Sequence, residues 1–419
     1  MKYTGFLCGA FATKAGFEPQ AEWQPVIMSD AERESCSNYY YPEFVDFNFG
    51  ANQNSIHRYI YNIGSNVDVV VGFGASERKV SAYVDNITLY KAPFGLTLFS
   101  VRVDLDCTPN DITAVVSRLR GVDSIALKNS AFAKLALDPV LDIYRFCALN
   151  ASQCVGKGNE ALYSRLVEYG NKLKLFQVAT VTAELWGGDN SDELLFELGT
   201  VAPIGSYRPD EDFSSSKSYF DTIMKEGRVS VFNNWKALSL FDTFTMLGHD
   251  VSAGNISNWI DNYFGMLYIS ELYVKFYLFR LNNDFRIYHK SAGKLLEQFD
   301  EFEYGCWFDN VSYNFLPRLI HRAMESGLEI LPEKQRLYQM LAQQKDKREK
   351  DDDQRMNNLL FYLTLFTTFS MVWDASSLFN EMYPFETYIG SNIAGFRLVS
   401  YSLLLVILLL IVITRFRRK

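Results

Sequence analysis

The sequence predicts an α/β cytosolic domain, then a helical region and one long stalk helix, closed by a pair of membrane-spanning helices at the C-terminus. Three observations carry this. Residues 1–200 hold short Val-rich runs with strand-like alternation. Between Asn255 and Leu328 apolar and aromatic residues recur at helical spacing. Near the chain end lie two apolar segments, Met356–Trp373 and Ile393–Thr414.

In order along the chain, Val67–Val71, Val80–Val84, Ile87–Tyr90, Leu96–Leu105 and Leu175–Glu184 read as strands. Thr108 followed by Pro109 opens a helix over Ile112–Leu119, with an N-cap hydroxyl and a proline in the first turn. These elements define an α/β domain over residues 1–204. The polar stretch 205–217 reads as a linker and 218–330 as a helical region. In the latter, Ile260, Phe264, Leu267, Tyr268, Leu272, Phe276 and Phe279 form a stripe expected to be core.

A stalk helix is predicted over 331–355, because Pro332 suits a first turn and no Gly or Pro follows before Trp373. Leu337 and Leu341 give it a short apolar stripe, which continues in polar residues. Segments 356–373 and 393–414 are the expected spans, joined by an external loop over 374–392. The second is greasy on every side and suits lipid. The basic residues 415–419 would stay cytoplasmic by the positive-inside rule, placing both termini on that side of an inner membrane. The first span carries a polar stripe, Asn357, Thr364, Thr368 and Met371, expected either to line a watered path or to bond back to its own helix or its neighbours. Asp374, Glu381 and Glu386 make the loop acidic, as a cation-gathering pore mouth or simply as an external loop lacking positive charge.

The net charge of −8 is unevenly placed, since no acidic residue follows Arg397. An acidic body argues against direct binding to DNA or RNA backbones. Six cysteines without CxxC spacing and four scattered histidines predict reduced thiols and no metal site. No Walker A, GxSxG or HExxH pattern is present, so no catalytic residue is assigned and no enzyme is expected. Gly72-Phe73-Gly74 is a turn rather than a dinucleotide fingerprint. Tyr39, Tyr40, Tyr41 and Arg58 are candidates for stacking on and holding a nucleotide, against burial or oligomer contact as the plainer reading.

The acidic α/β domain, long stalk, two spans and basic tail together resemble the CorA superfamily of divalent-cation channels. The resemblance implies a homo-oligomeric ring, usually a pentamer, whose first span lines the pore through Asn357, Thr364, Thr368 and Met371. The Gly-Met-Asn motif of magnesium-transporting members is replaced here by Val372-Trp373-Asp374, which leaves the ion open. A divergent branch associated with type III CRISPR systems responds to a nucleotide second messenger, the S-adenosylmethionine–AMP conjugate (SAM-AMP). Resemblance to it implies a ligand-gated channel that perturbs the membrane during phage infection, with no covalently bound cofactor. The alternatives are a magnesium or other divalent-cation transporter and a membrane-tethered scaffold or enzyme.

Overall fold

The computed structural model describes all residues except 15, 51, 73–75, 168–169, 188–189, 288–290 and 383–419. Nine strands form one sheet: β1 (Lys2–Ala12), β2 (Gln24–Pro25), β3 (His57–Val71), β4 (Arg78–Ala92), β5 (Leu96–Asp106), β6 (Lys174–Val181), β7 (Arg228–Phe232), β8 (Trp235–Ser239) and β9 (Thr243–His249). Their spatial order is β2-β3-β4-β5-β1-β6-β9-β8-β7. All pairs are antiparallel except β6 with β9, which run parallel.

The helices are α1 (Asp30–Ser37), α2 (Pro42–Phe49), α3 (Pro109–Arg120), α4 (Ile125–Lys128), α5 (Asp138–Cys147), α6 (Ala183–Trp186), α7 (Asn190–Thr200), α8 (Lys217–Gly227) and α9 (Ala253–Asn258). A π-helical segment, Trp259–Tyr268, then leads into α10 (Ile269–Arg286). These are followed by α11 (Ala292–Cys306), α12 (Phe315–Gly327) and α13 (Ile330–Met382). Met1–Leu341 is one compact unit and Ala342–Lys419 a second.

Strand alternation places helices on both sheet faces. In β1, Tyr3, Leu7 and Phe11 join the core that includes residues of α3, α5 and α7. Phe6, Cys8 and Ala10 turn the other way, toward α2, the π-helical segment, α10, α11, α12 and the start of α13. The aromatic stripe predicted as core is core: Phe264, Leu267, Tyr268, Leu272 and Phe276 are buried, with Ile260 and Phe279 half-buried against them. The α3 start is as expected, the Thr108 hydroxyl accepting from Asp111 N–H at 3.3 Å. Val80–Val84 and Ile87–Tyr90 are two halves of β4, joined across a bulge.

The fold class expected from sequence is overturned on two points. First, β7, β8 and β9 fall where a helical region was expected and belong to the same sheet as β1, so the architecture is a nine-stranded mixed sheet with helices after it. The stretch 205–217 does not loosen the unit. The buried Glu197 carboxylate accepts from Gly205 and Tyr207 N–H at 2.9 and 2.8 Å, and Tyr207 stacks on Phe220 at 4.5 Å.

Second, the expected membrane hairpin is not borne out: among the described residues no helix is long and apolar enough to cross a membrane. Met356–Trp373 is an internal stretch of the 53-residue α13. Asn357, Asn358, Thr364, Thr367, Thr368 and Ser370 dilute its apolar content, and the run Asp351-Asp352-Asp353 precedes it. Because α13 runs on to Met382, Asp374 and Glu381 sit on that helix instead of in a loop. Glu386, segment 393–414 and the basic tail lie outside the described residues.

The joint between α12 and α13 is close-packed. A Cβ on Gly327 would press into Ser239 of β8, 2.7 Å from its Cβ and 2.8 Å from its carbonyl carbon. Gly327→Ala is therefore expected to destabilise the chain by about 1–3 kcal/mol through overpacking, read as a lower midpoint in urea with an unchanged slope.

Candidate functional site

The site sits on α12. The inward side of this helix carries Pro317, Ile320, His321 and Met324, all buried. Its outward side carries Phe315, Arg318, Leu319 and Arg322, which repeat at three- and four-residue spacing and so share a stripe. With Tyr313 just before the helix, these five side chains line a groove of about 270 Å³. Tyr313 is 57% and Phe315 66% exposed, too much for residues serving only the core. Neither Arg318 nor Arg322 has an ion-pair partner among the described residues.

The backbone around Tyr39 and Tyr41 of the predicted tyrosine triplet is stitched to the segment that leads into this groove. Tyr41 N–H donates to Val311 O at 3.0 Å, and Asn314 Nδ2 donates to Asn38 O at 3.2 Å. Ser312 Oγ donates to Tyr39 O. Tyr41 then packs on Tyr313, ring centroids 4.2 Å apart, while Tyr39 stays half exposed. The other two candidates lie elsewhere. Tyr40 is fully buried beside Phe44, at 5.7 Å between rings. Arg58 is an internal clamp: its Nη2 donates to Asn48 Oδ1 at 3.1 Å and Gly265 O at 2.7 Å, and its guanidinium lies 3.7 Å over Phe49. Burial pulls the Arg58 pKa down to about 10. The structure therefore brings the Tyr41 ring to Tyr313 of the groove, ties the Tyr39 backbone to Ser312 beside it, and assigns Tyr40 and Arg58 to the core.

The residues predicted to line a pore are exposed along α13. Thr364 Oγ1 donates to Leu360 O at 2.8 Å, and Thr368 and Thr367 both donate to Thr364 O, at 2.7 and 3.0 Å. Their hydroxyls bond back to their own helix, which was the alternative to pore lining. Asn357 and Met371 make no such bond and are exposed beside them. Among the described residues no group of three or more His, Cys, Asp and Glu side chains is placed to hold a metal ion.

Beneath the groove, His321 Nε2 pairs with the Glu271 carboxylate of α10 at 2.7 Å, both side chains under a tenth exposed. Burial alone would lower the His321 pKa. The charge and hydrogen bond of Glu271, with Glu325 and Asp309 nearby, outweigh it, and the net direction is up. A histidine raised on folding stabilises fully below its unfolded value of about 6.5 and loses that contribution as pH rises through the folded value. Glu325, also raised by burial and by Glu271, pushes the same way. The melting temperature is expected to fall from pH 6 to pH 9, and to fall less in His321→Gln. Equal slopes in the two chains would remove His321 as the cause.

No protein-family model, curated protein or solved structure matches the chain. Its function must therefore be argued from the groove. Sequence reasoning missed Arg318 and Arg322, although the signal was there: Phe315, Arg318, Leu319 and Arg322 fall on the helix face opposite Pro317, Ile320, His321 and Met324.

Proposed function

We propose that this chain is a membrane-held receptor for a nucleotide-class anion, bound in the α12 groove. The observation that supports it is a pair of arginines one helical turn apart, without ion-pair partners among the described residues and flanked by exposed aromatic rings. Guanidinium groups fork onto phosphate oxygens, and Tyr or Phe faces stack on a base. Segment 393–414, by its sequence, would hold the body at a bilayer.

Binding has a short route out of the groove. Gly327 ends α12, and α13 begins at Ile330 after a joint whose Glu329 has a positive φ of 54°. A ligand that prefers one setting of this joint shifts the population toward it. Calorimetric titration of the full chain with ATP and with SAM-AMP tests the reading. Binding in the micromolar range supports it; no heat from either at millimolar ligand overturns it.

The output is tested separately by ion flux from proteoliposomes. Ligand-dependent flux would mark a gated conductor, as resemblance to the CRISPR-associated branch implies. Binding without flux would mark a tethered receptor, which the back-bonded hydroxyls of Thr364, Thr367 and Thr368 favour.

A further inference from the structure

The sheet face that carries α10 and α12 is not covered along its whole length. Phe6, Cys8 and Ala10 of β1 are buried there, but the same face continues at the strand's start as Lys2 and Thr4. Neighbouring strands change character at the same level. Asn66 of β3, Ser81 and Tyr83 of β4, Asp104 and Asp106 of β5 and Thr180 of β6 surround a cleft of about 540 Å³, with Val178 and Ile256 among its apolar lining. Register shifts in β3 between Asn62 and Ser65, and in β4 between Val84 and Ile87, bend the strands beside it. The size is that of a small-molecule site.

Its polar groups are pre-set. Thr4 Oγ1 donates to Asp104 Oδ1 at 2.5 Å. Arg102 reaches Asp104 at 3.2 Å and Asp85 at 3.3 Å, tying the two carboxylates together. Tyr83 presents 38% of its surface to solvent, although it lies on the strand face that elsewhere supplies core.

The charge balance narrows the ligand. An anion would meet the Asp104 and Asp106 carboxylates of the lining, while Arg102 and the N-terminal ammonium are already committed to them and Lys2 alone lines the cleft as a cation among the described residues. An organic cation would find Asp104 already paired with Arg102 and Asp106 with the N-terminal ammonium at 4.0 Å, with Lys2 beside them to repel it. What remains is a neutral molecule with several hydroxyls: donors for the Asp104 carboxylate, partners for Asn66, Ser81 and Thr180, and a C–H face for the Tyr83 ring. We propose that this cleft is a saccharide-binding site for a ligand of about disaccharide size, independent of the α12 groove.

The test uses the full chain in lipid nanodiscs, because sugar-headed detergents would compete. Saturation-transfer NMR is recorded with maltose, cellobiose, trehalose and N-acetylglucosamine, and with spermidine as the cationic rival. At least one saccharide is expected to bind with a Kd of about 1 mM or tighter. Tyr83→Ala is expected to weaken it about tenfold, and Ser81→Arg, which fills the cleft from an exposed position, to abolish it. Both variants should keep the parent melting temperature and parent ATP affinity. No transfer from any saccharide at about 20 mM, transfer unchanged in both variants, or a preference for spermidine would each overturn the proposal.

Discussion

Reversing both arginines, Arg318→Glu with Arg322→Glu, is expected to weaken nucleotide binding at least about 100-fold while leaving folding intact. Each guanidinium–phosphate hydrogen bond at such a site contributes about 1.5 kcal/mol, and two give about 3 kcal/mol, a factor of roughly 100. The reversed charges add repulsion. Stability should hold, because both side chains are exposed and neither anchors α12. The buried face of Pro317, Ile320, His321 and Met324 is untouched. Arg318→Lys separates charge from geometry: it keeps the cation but loses the planar fork and should cost part of the affinity. The salt dependence of binding should flatten in the double variant. Unchanged affinity in the double variant would remove the groove as the site.

The largest stability effect is expected at Lys275. Its side chain is fully buried in α10, where Nζ donates to Leu328 O at 2.5 Å and Glu333 Oε1 at 2.7 Å. It also lies 4.3 Å over Phe241 and 4.8 Å over Phe279. Lys174 also lies over the Phe241 ring, at 4.2 Å, and pairs with Asp242, which Arg120 reaches at 3.7 Å. Burial pushes Lys275 down and Glu333 up, each opposed by the other's charge. Lys275→Met keeps the volume but leaves the Glu333 carboxylate and the Leu328 carbonyl without their donor. Glu333 is partly exposed, so the low end of the range for a broken buried pair applies, about 3 kcal/mol. Chemical denaturation measures it. Adding Glu333→Leu should restore much of the loss, because a matched apolar pair replaces a buried ion pair at little cost. A Lys275→Met chain as stable as the parent would show that the pair does not hold α13 to the body.

How much of this was legible in the sequence depended on how local each signal was. The cap at Thr108, the alternation in β3 to β5 and the unbroken run after Pro332 are properties of neighbouring residues, and they came out as read. Strand β1 was missed because Gly5 and Gly9 dilute its β-propensity, and its pairing with β5 and β6 is set by distant partners. The strands Trp235–Ser239 and Thr243–His249 were hidden because five and seven residues give too short an alternation to stand out. Hydropathy misled at Met356–Trp373, where apolar residues exposed on a helix read as a span despite the interspersed threonines. The groove was half visible. Tyr41 was noticed for its aromatic neighbours, but only the fold brings it to Tyr313 and thus to Arg318 and Arg322.

The parallel pairing of β6 with β9 bears on how the protein can be cut. A fragment ending at residue 204 would retain β6 but lose the seven-residue partnership from Leu175↔Thr243 to Val181↔His249. It would expose, as a raw border, a strand that is almost entirely buried in the intact chain. Such a piece is expected to stick to its own copies through that unzipped margin. Any crystallisable or soluble excerpt of this protein therefore has to run at least through His249.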